Sequence, residues 1–451
     1  MNTEKRYEEA LNWIHGLGRF GIKPGLERIT ALLEMLGNPH HNISFVHIGG
    51  TNGKGSTAAM LASILRTAGL NIGLYTSPYL LSFTNRMAVN GSDINQGDLA
   101  DLVDEIKPLI DQILNDPELG QPTEFEVVTV LALTYFARQK VDLVVLEVGL
   151  GGRLDATNVV IPILSIITNI SLEHTEILGD TITKIAGEKA GIIKPGRPLL
   201  TASSDEEVLK LFEDRCHELR APLYRVYPPV EQASFKSEHR PVAISQDITP
   251  EGQYFSYRGF KWGFDHLFIR LRGKYQLENA CTALAAAEII SGKGFPIDEE
   301  AVRKGLAETV WPGRLELMQN EPLLIMDGAH NPAAIEKLAE AFPLYFDYRR
   351  LILIFGMLAD KDMASMLNTI LPIADIVIFT RPLLPRAAEP ESVAAYAIEK
   401  LGYSKECYIV GHYGEALEKA LGIAAPGDAI LVTGSLYTVS DIRAYWVGHR
   451  R

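Results

Sequence analysis

From residue 50 the chain reads Gly50-Thr51-Asn52-Gly53-Lys54-Gly55-Ser56-Thr57, a lysine set among glycines and hydroxyls. Between a strand and a helix, such a loop suits phosphate. Its backbone N–H groups converge, the helix N-terminus adds partial positive charge, and lysine reaches the outer phosphates. The spacing departs from the usual phosphate loop, because Gly55 separates Lys54 from the next hydroxyl. A turn that only packs a helix on a sheet is the competing reading; the lysine and hydroxyls favour a nucleotide. Glu147 closes the apolar run Val144-Val145-Leu146, and a buried carboxylate is costly unless paired or metal-bound. Magnesium takes oxygen ligands, so a carboxylate, a hydroxyl and substrate phosphates suit it. His174 also follows an apolar run, but by residue chemistry alone it reads as a structural or capping histidine. Lys189 and Lys194 in GEKAGIIKPG read as a solvated helix face. Arg314 in WPGR is either a cation that reaches phosphate on domain closure or a surface partner of Glu316. Asp327 and His330 in MDGAHNP follow a further apolar run, and taken alone they fit a helix cap and a structural histidine equally well.

These side chains need elements to hold them. ISFVHIGG is a short strand ending in glycines, and Met60, Leu61, Ile64, Leu65 and Ala68 then share one helical face until Gly69. NIGLYTSPYL gives a strand broken at Ser77-Pro78, and a helix from about Phe125 to Gln139 leads into DLVVLEVGLGG. The continuous apolar core of DLVVLEVGLGG suits a strand covered on both faces, and PILSIIT and RPLLTA repeat that character. Strands alternating with helices imply a mostly parallel α/β sheet. From Leu223 to Arg272 two-residue alternation with aromatics implies antiparallel strands added to the same domain. ETVWPGRL interrupts the pattern, which places a boundary between residues 1–308 and 309–451. Five further strands, PLLIMDG, RLILIFG, DIVIFT, ECYIV and DAILVTG, make the second part an open α/β domain.

The whole chain has 451 residues, 47% of them hydrophobic, and a formal charge of −13, which argues against coating nucleic acid or an anionic membrane. Cys216, Cys281 and Cys407 form no metal-ligand spacing and read as reduced thiols. The N-terminus lacks the apolar core of a secretory signal and no run is long enough for a membrane helix, so a cytoplasmic protein is expected.

GTNGKGST, SPYL, LEVGLGGRLDATN, ISLEHTEILG, IAGEKAGIIK, QLENA, WPGRLE, MDGAHNP and GSLYTVSDIR together resemble the Mur ligase superfamily. More narrowly, they resemble its folylpolyglutamate synthase and dihydrofolate synthase branch, in order and over nearly the whole chain. The resemblance implies an N-terminal P-loop-containing domain, a smaller C-terminal Rossmann-like domain, and a cleft between them. It implies ATP on Thr51, Asn52, Gly53, Lys54, Gly55, Ser56 and Thr57, with contacts from Asn279, Arg314 and Asp327. One magnesium ion would be held by Ser77 and Glu147 and a second by His174, with Lys189 carbamylated. Lys54, Lys189, Arg314 and His330 are the implied catalytic residues; Asp327, His330 and Ser435 would help receive glutamate, and Asp360 and Lys361 are further candidates. The implied reaction transfers the γ-phosphoryl group of ATP to a substrate carboxylate, and the amine of L-glutamate then attacks the acyl phosphate.

The acceptor is a folate, dihydropteroate, or both; the ATP motifs do not separate these. SPYLLSFTNRMAVNG is expected to contact the pterin substrate, with Tyr79 and Asn85 standing where many relatives have histidine and glutamate. A monomer with neither nucleic-acid nor membrane partner is expected. A peptidoglycan Mur ligase would carry a further domain ahead of the loop, and only about fifty residues precede it here. A non-catalytic ATP-binding regulator would not need Glu147, His174, Lys189, Arg314 and His330 together.

Overall fold

The computed structural model describes residues 2–18, 24–116, 118–231 and 240–449. Gly21–Lys23, part of the segment GIKPGLERI, lie outside the described residues. The chain divides into two compact units, residues 1–246, 255–268 and 277–309 in the first and 247–254, 269–276 and 310–451 in the second.

The strands of the first unit's main sheet are β1 Ser44–Gly49, β2 Ile72–Tyr75, β3 Met87–Val89, β4 Ser92–Asp93, β5 Leu143–Glu147, β6 Leu164–Ile167, β7 Leu199–Thr201 and β8 Leu223–Arg225. Their order is β4-β3-β2-β5-β1-β6-β7-β8. All neighbours from β2 to β8 are parallel, and only the β2–β3 and β3–β4 pairs are antiparallel. Every residue of β5 is buried, as its unbroken apolar run requires of a central strand. Helix Glu124–Arg138 begins with a Thr123–Glu126 capping box, and its buried Val127, Leu131 and Phe136 join the core of Phe45, Val144 and Leu146. Helix Lys54–Thr67 packs on β1, β2 and β5 and against helix Glu299–Glu308. Ser63 Oγ donates to Gly305 O at 2.7 Å across that helix pair.

The second sheet comprises β9 Tyr227–Glu231, β10 Val242–Thr249, β11 Gly252–Arg258 and β12 Gly263–Ile269, in the order β12-β11-β10-β9. Short turns join β10, β11 and β12, as antiparallel neighbours need, but β9 pairs parallel to β10. The expectation that these strands belong wholly to the first domain is corrected: residues 247–254 and 269–276 fall in the second unit. Two-residue alternation reports a half-buried strand and carries no information on which core its ends meet.

The second unit's sheet comprises β13 Glu316–Asn320, β14 Leu323–Met326, β15 Leu351–Phe355, β16 Ile376–Phe379, β17 Glu406–Ile409 and β18 Ala429–Thr433. Its order is β13-β14-β18-β15-β16-β17, parallel except at β13. The five expected strands are β14 to β18. The antiparallel edge strand β13 went unread because its Glu-Leu-Met-Gln-Asn sequence is only partly buried. Among the described residues no helix is long and apolar enough to cross a membrane.

Candidate active site

Gly53 caps helix Lys54–Thr67 in the left-handed region, at φ 85°, and a Cβ there would run into the side chain of Asn279. Glycine at this position therefore lets Asn279 lie directly on the loop. On the other side, Thr168 Oγ1 donates to Asn52 O at 2.7 Å, and Thr51 N and Asn52 N donate to Asn169 O and Oδ1 at 2.8 and 3.0 Å. Ser171 N donates to Thr51 Oγ1 at 3.1 Å. The loop is thus held from two directions. Lys54 Nζ donates to Gly50 O and Thr51 O at 3.1 and 3.0 Å, which keeps the ammonium over the loop's own carbonyls. Among the described residues, Thr57 Oγ1 at the start of the helix is buried with no hydrogen-bond partner.

At the carboxyl edge of the sheet, Glu147 lies beside the segment after β2, since Tyr75 pairs with Leu146. The Ser77 N–H donates to Glu147 Oε2 at 3.3 Å. The backbone of a hydroxyl residue therefore touches a buried carboxylate, and a carboxylate and a hydroxyl are the hard oxygen donors that suit magnesium. His174 sits at φ 48° before the short helix Thr175–Leu178, and its side chain makes no cap bond there. The capping reading of His174 fails on that geometry. Among the described residues no three His, Cys, Asp or Glu side chains converge as a metal site.

Lys189 overturns the expectation of a solvated helix face, since it is only 2% exposed. Its Nζ donates to Gly50 O at 2.9 Å and pairs with Glu173 Oε1 at 3.0 Å. Burial pulls the Lys189 ammonium below the usual lysine range, against the pull of Glu173. Burial alone would raise the Glu173 carboxyl, but Lys189 and then Lys54 hold it below the ordinary carboxylate range. Helix Ile182–Ala190 reaches this depth because Gly152 has no side chain: a Cβ there would stand 2.9 Å from Glu188 O and 3.0 Å from Lys189 O. Lys194 is also partly covered, donating to Asn158 O at 2.9 Å.

In the second unit, Asp327 follows β14 and is 3% exposed. It accepts from Leu315 N and Ala329 N, both at 2.9 Å, which ties the WPGR turn to the strand end. Burial raises the Asp327 carboxyl, with Arg314 and the two N–H groups opposing. Arg314 donates to Gly313 O at 3.3 Å, whereas Glu316 is occupied by Arg443 at 2.7 Å, so the Arg314–Glu316 alternative is set aside. His330 Nδ1 lies 2.9 Å from Gly328 O, and since a carbonyl oxygen only accepts, that nitrogen is the donor. Ser435 is buried at the turn after β18, accepting from Tyr437 N at 3.2 Å. Asp360 and Lys361 pair with each other at 3.2 Å. Asn85 holds the turn Phe83–Arg86 by a capping box with Ser82 and also donates to Asp93.

Residues 48–287 match the Mur ligase middle domain, and residues 313–436 match the Mur ligase glutamate ligase domain. A dihydrofolate synthase/folylpolyglutamate synthase of Bacillus subtilis is 40% identical, with 97% of this chain and 98% of that one covered. The chain belongs to the Mur ligase family, in its folylpolyglutamate synthase/dihydrofolate synthase branch. Solved members of the branch agree. A Mycobacterium tuberculosis folylpolyglutamate synthase complexed with ADP and AMPPCP superposes with a TM-score of 0.87 at 32% identity, covering 97% of this chain and 98% of that one. Escherichia coli FolC in complex with DHPP and ADP superposes with a TM-score of 0.83 at 30% identity, covering 98% of each chain.

In this Mur ligase, residue-by-residue reading missed Glu173, although it stands within the motif ISLEHTEILG. An acidic residue beside His174 was a signal, but its partner Lys189 becomes visible only when the helix docks. The Thr168–Ser171 clamp on the loop was likewise unread, because hydroxyls and amides after a strand are ordinary turn residues.

Proposed function

We propose that this chain is an ATP-dependent ligase that joins L-glutamate to the carboxylate of a folate through an acyl phosphate, and that it also accepts dihydropteroate. The observation that carries this reading is the buried carboxylate of Glu147 at the sheet's carboxyl edge, accepting from the Ser77 N–H, in the unit that also holds the Lys54 loop. The relative named for both synthase activities supports the double acceptor range.

A carboxylate is a poor electrophile, so amide formation needs an activated acyl group. Thr51 to Thr57 would bind the ATP phosphates through backbone N–H groups, with Asn279 fixing the loop from above. Lys54, released from the carbonyls of Gly50 and Thr51, would neutralise charge on the transferring phosphoryl group. Magnesium held by Ser77 and Glu147 would supply Lewis-acid charge stabilisation when bound. Arg314 is assigned to the acyl phosphate. His330, its Nδ1 held by Gly328 O, would act with Asp327 and Ser435 on the incoming amino acid.

Lys189 is proposed to be carbamylated in the working enzyme. Its amine would add to carbon dioxide, forming the N–C bond and releasing a proton, and burial already favours the neutral amine this needs. The product would place a second anion beside Glu173, which requires a cation between them. An intact-mass increase matching carbon dioxide, together with bicarbonate-dependent activity, would support the modification; an unmodified, bicarbonate-indifferent enzyme would reject it.

The deciding experiment is ATP-dependent incorporation of labelled L-glutamate, with dihydropteroate and tetrahydrofolate monoglutamate offered separately. Product from both acceptors is expected. Incorporation into neither rejects the reading, and incorporation into dihydropteroate alone narrows it to a dihydrofolate synthase.

A further inference from the structure

We propose that Arg86 binds the carboxylate of the acceptor substrate, holding it beside the Glu147 edge between aromatic walls that suit an aryl acid. This rests on the ligase reading above and names the group that would orient the carboxylate to be activated.

The placement follows from strand register. Tyr75 pairs with Met87 on one side and with Leu146 on the other, and Thr76 N donates to Arg86 O at 3.0 Å. Arg86 therefore leaves the sheet at the same edge as Ser77 and Glu147. The Ser82–Asn85 capping box fixes the turn just before it.

The argument from charge is a comparison within the chain. Three arginine side chains are nearly covered to the same degree, Arg28 at 11%, Arg443 at 14% and Arg86 at 12% exposure. Arg28 Nε lies 2.9 and 3.1 Å from the two oxygens of Glu126. Arg443 bonds Glu316 at 2.7, 3.0 and 3.1 Å. Arg86 instead has the neutral Tyr75 hydroxyl as a side-chain partner and Glu124 only at 3.9 Å, and Glu124 also faces His15 at 3.7 Å. Among the described residues its buried Nε has no hydrogen-bond partner. A covered guanidinium costs free energy unless its planar fork is matched, and a carboxylate is the group that matches it.

The surroundings narrow the ligand further. The guanidinium lies over the rings of Tyr79 and Phe83, 5.3 and 5.4 Å from their centroids, and these rings stand 5.8 Å apart. They hold the cation in one plane and offer flat apolar surface beside it. A carboxylate carried on an aromatic ring, as in dihydropteroate, meets both requirements.

The test is equilibrium binding of dihydropteroate and of the same molecule lacking its carboxylate, to wild type, Arg86→Lys and Arg86→Met. Wild type is expected to prefer the carboxylated ligand by on the order of 10- to 100-fold. That preference should collapse toward unity in Arg86→Met and be partly retained in Arg86→Lys. Binding of the decarboxylated ligand and of ATP should stay within about twofold, which also reports that the variants are folded. Equal weakening of both ligands, or a preference that survives in Arg86→Met, overturns the inference alone. Wild type that binds neither ligand overturns the folate reading and this inference with it.

Discussion

A buried ammonium persists only where anions or carbonyls answer it, and Lys189 has both in Glu173 and Gly50 O. Removing one partner strands the other. With Lys189 unmodified, Glu173→Gln is expected to cost about 3 kcal/mol by chemical denaturation, because breaking a buried pair leaves an uncompensated charge. The double variant Glu173→Gln/Lys189→Met should recover most of that loss; a sum of two full penalties would show that the residues are not coupled. Glu147 makes a different kind of prediction. If its carboxylate supplies a magnesium oxygen, Glu147→Gln should lower kcat by on the order of 100-fold or more and raise the magnesium needed for half-maximal rate. A metal titration of initial rates checks both, and unchanged magnesium dependence would remove Glu147 from the metal site.

At the scale of elements, the site depends on how closely a loop, a turn and a helix approach. Gly53 combines φ 85° with a Cβ direction blocked by Asn279, so Gly53→Ala meets backbone strain and steric conflict together. The backbone part alone should cost about 1–2 kcal/mol. ATP affinity should fall along with thermal stability, measured by a fluorescent nucleotide and by melting. Adding Asn279→Ala should restore part of the stability but not the affinity if Asn279 also touches the nucleotide. The same close approach explains Lys189: Gly152 lets the carbonyls of Glu188 and Lys189 come against the loop after β5. Without that contact the helix could not carry its lysine into the core.

Over the whole molecule, the −13 charge gives no general attraction to anions, so any anionic substrate must be held by local devices such as the Lys54 loop. Acid stability of the first unit has an identifiable contributor. His47 on β1 is fully buried, its Nε2 2.8 Å from Thr157 Oγ1, and burial, then Lys194, push its pKa down to about 3. The unfolded histidine titrates near 6.5, so the folded state binds fewer protons between those values. The contribution is complete above about pH 6.5 and declines by about 1.4 kcal/mol per pH unit as pH falls toward 3. His47→Gln should remove this slope while keeping a polar partner for Thr157. The difference in urea midpoint between wild type and variant, followed from pH 7.5 to 4, measures it; parallel curves would reject the assignment.

What the chain determined by itself was whatever depends on neighbours in sequence. The apolar runs that became β5 and β14 to β18 were legible because continuous hydrophobicity allows only a doubly covered strand. The Lys54 loop was legible because glycines, lysine and hydroxyls lie together, and the Mur ligase resemblance because its motifs keep their order. Lys189 and Glu173 were not, since sixteen positions separate them and each alone fits a solvated surface. Nor was Arg86, which resembles any turn arginine until strand register sets it at the same sheet edge as Glu147 and over the rings of Tyr79 and Phe83. Tertiary structure decided which charges were taken out of water and which partners came with them. Local sequence cannot express that choice, because the cost of burying a charge depends on groups brought from elsewhere in the chain.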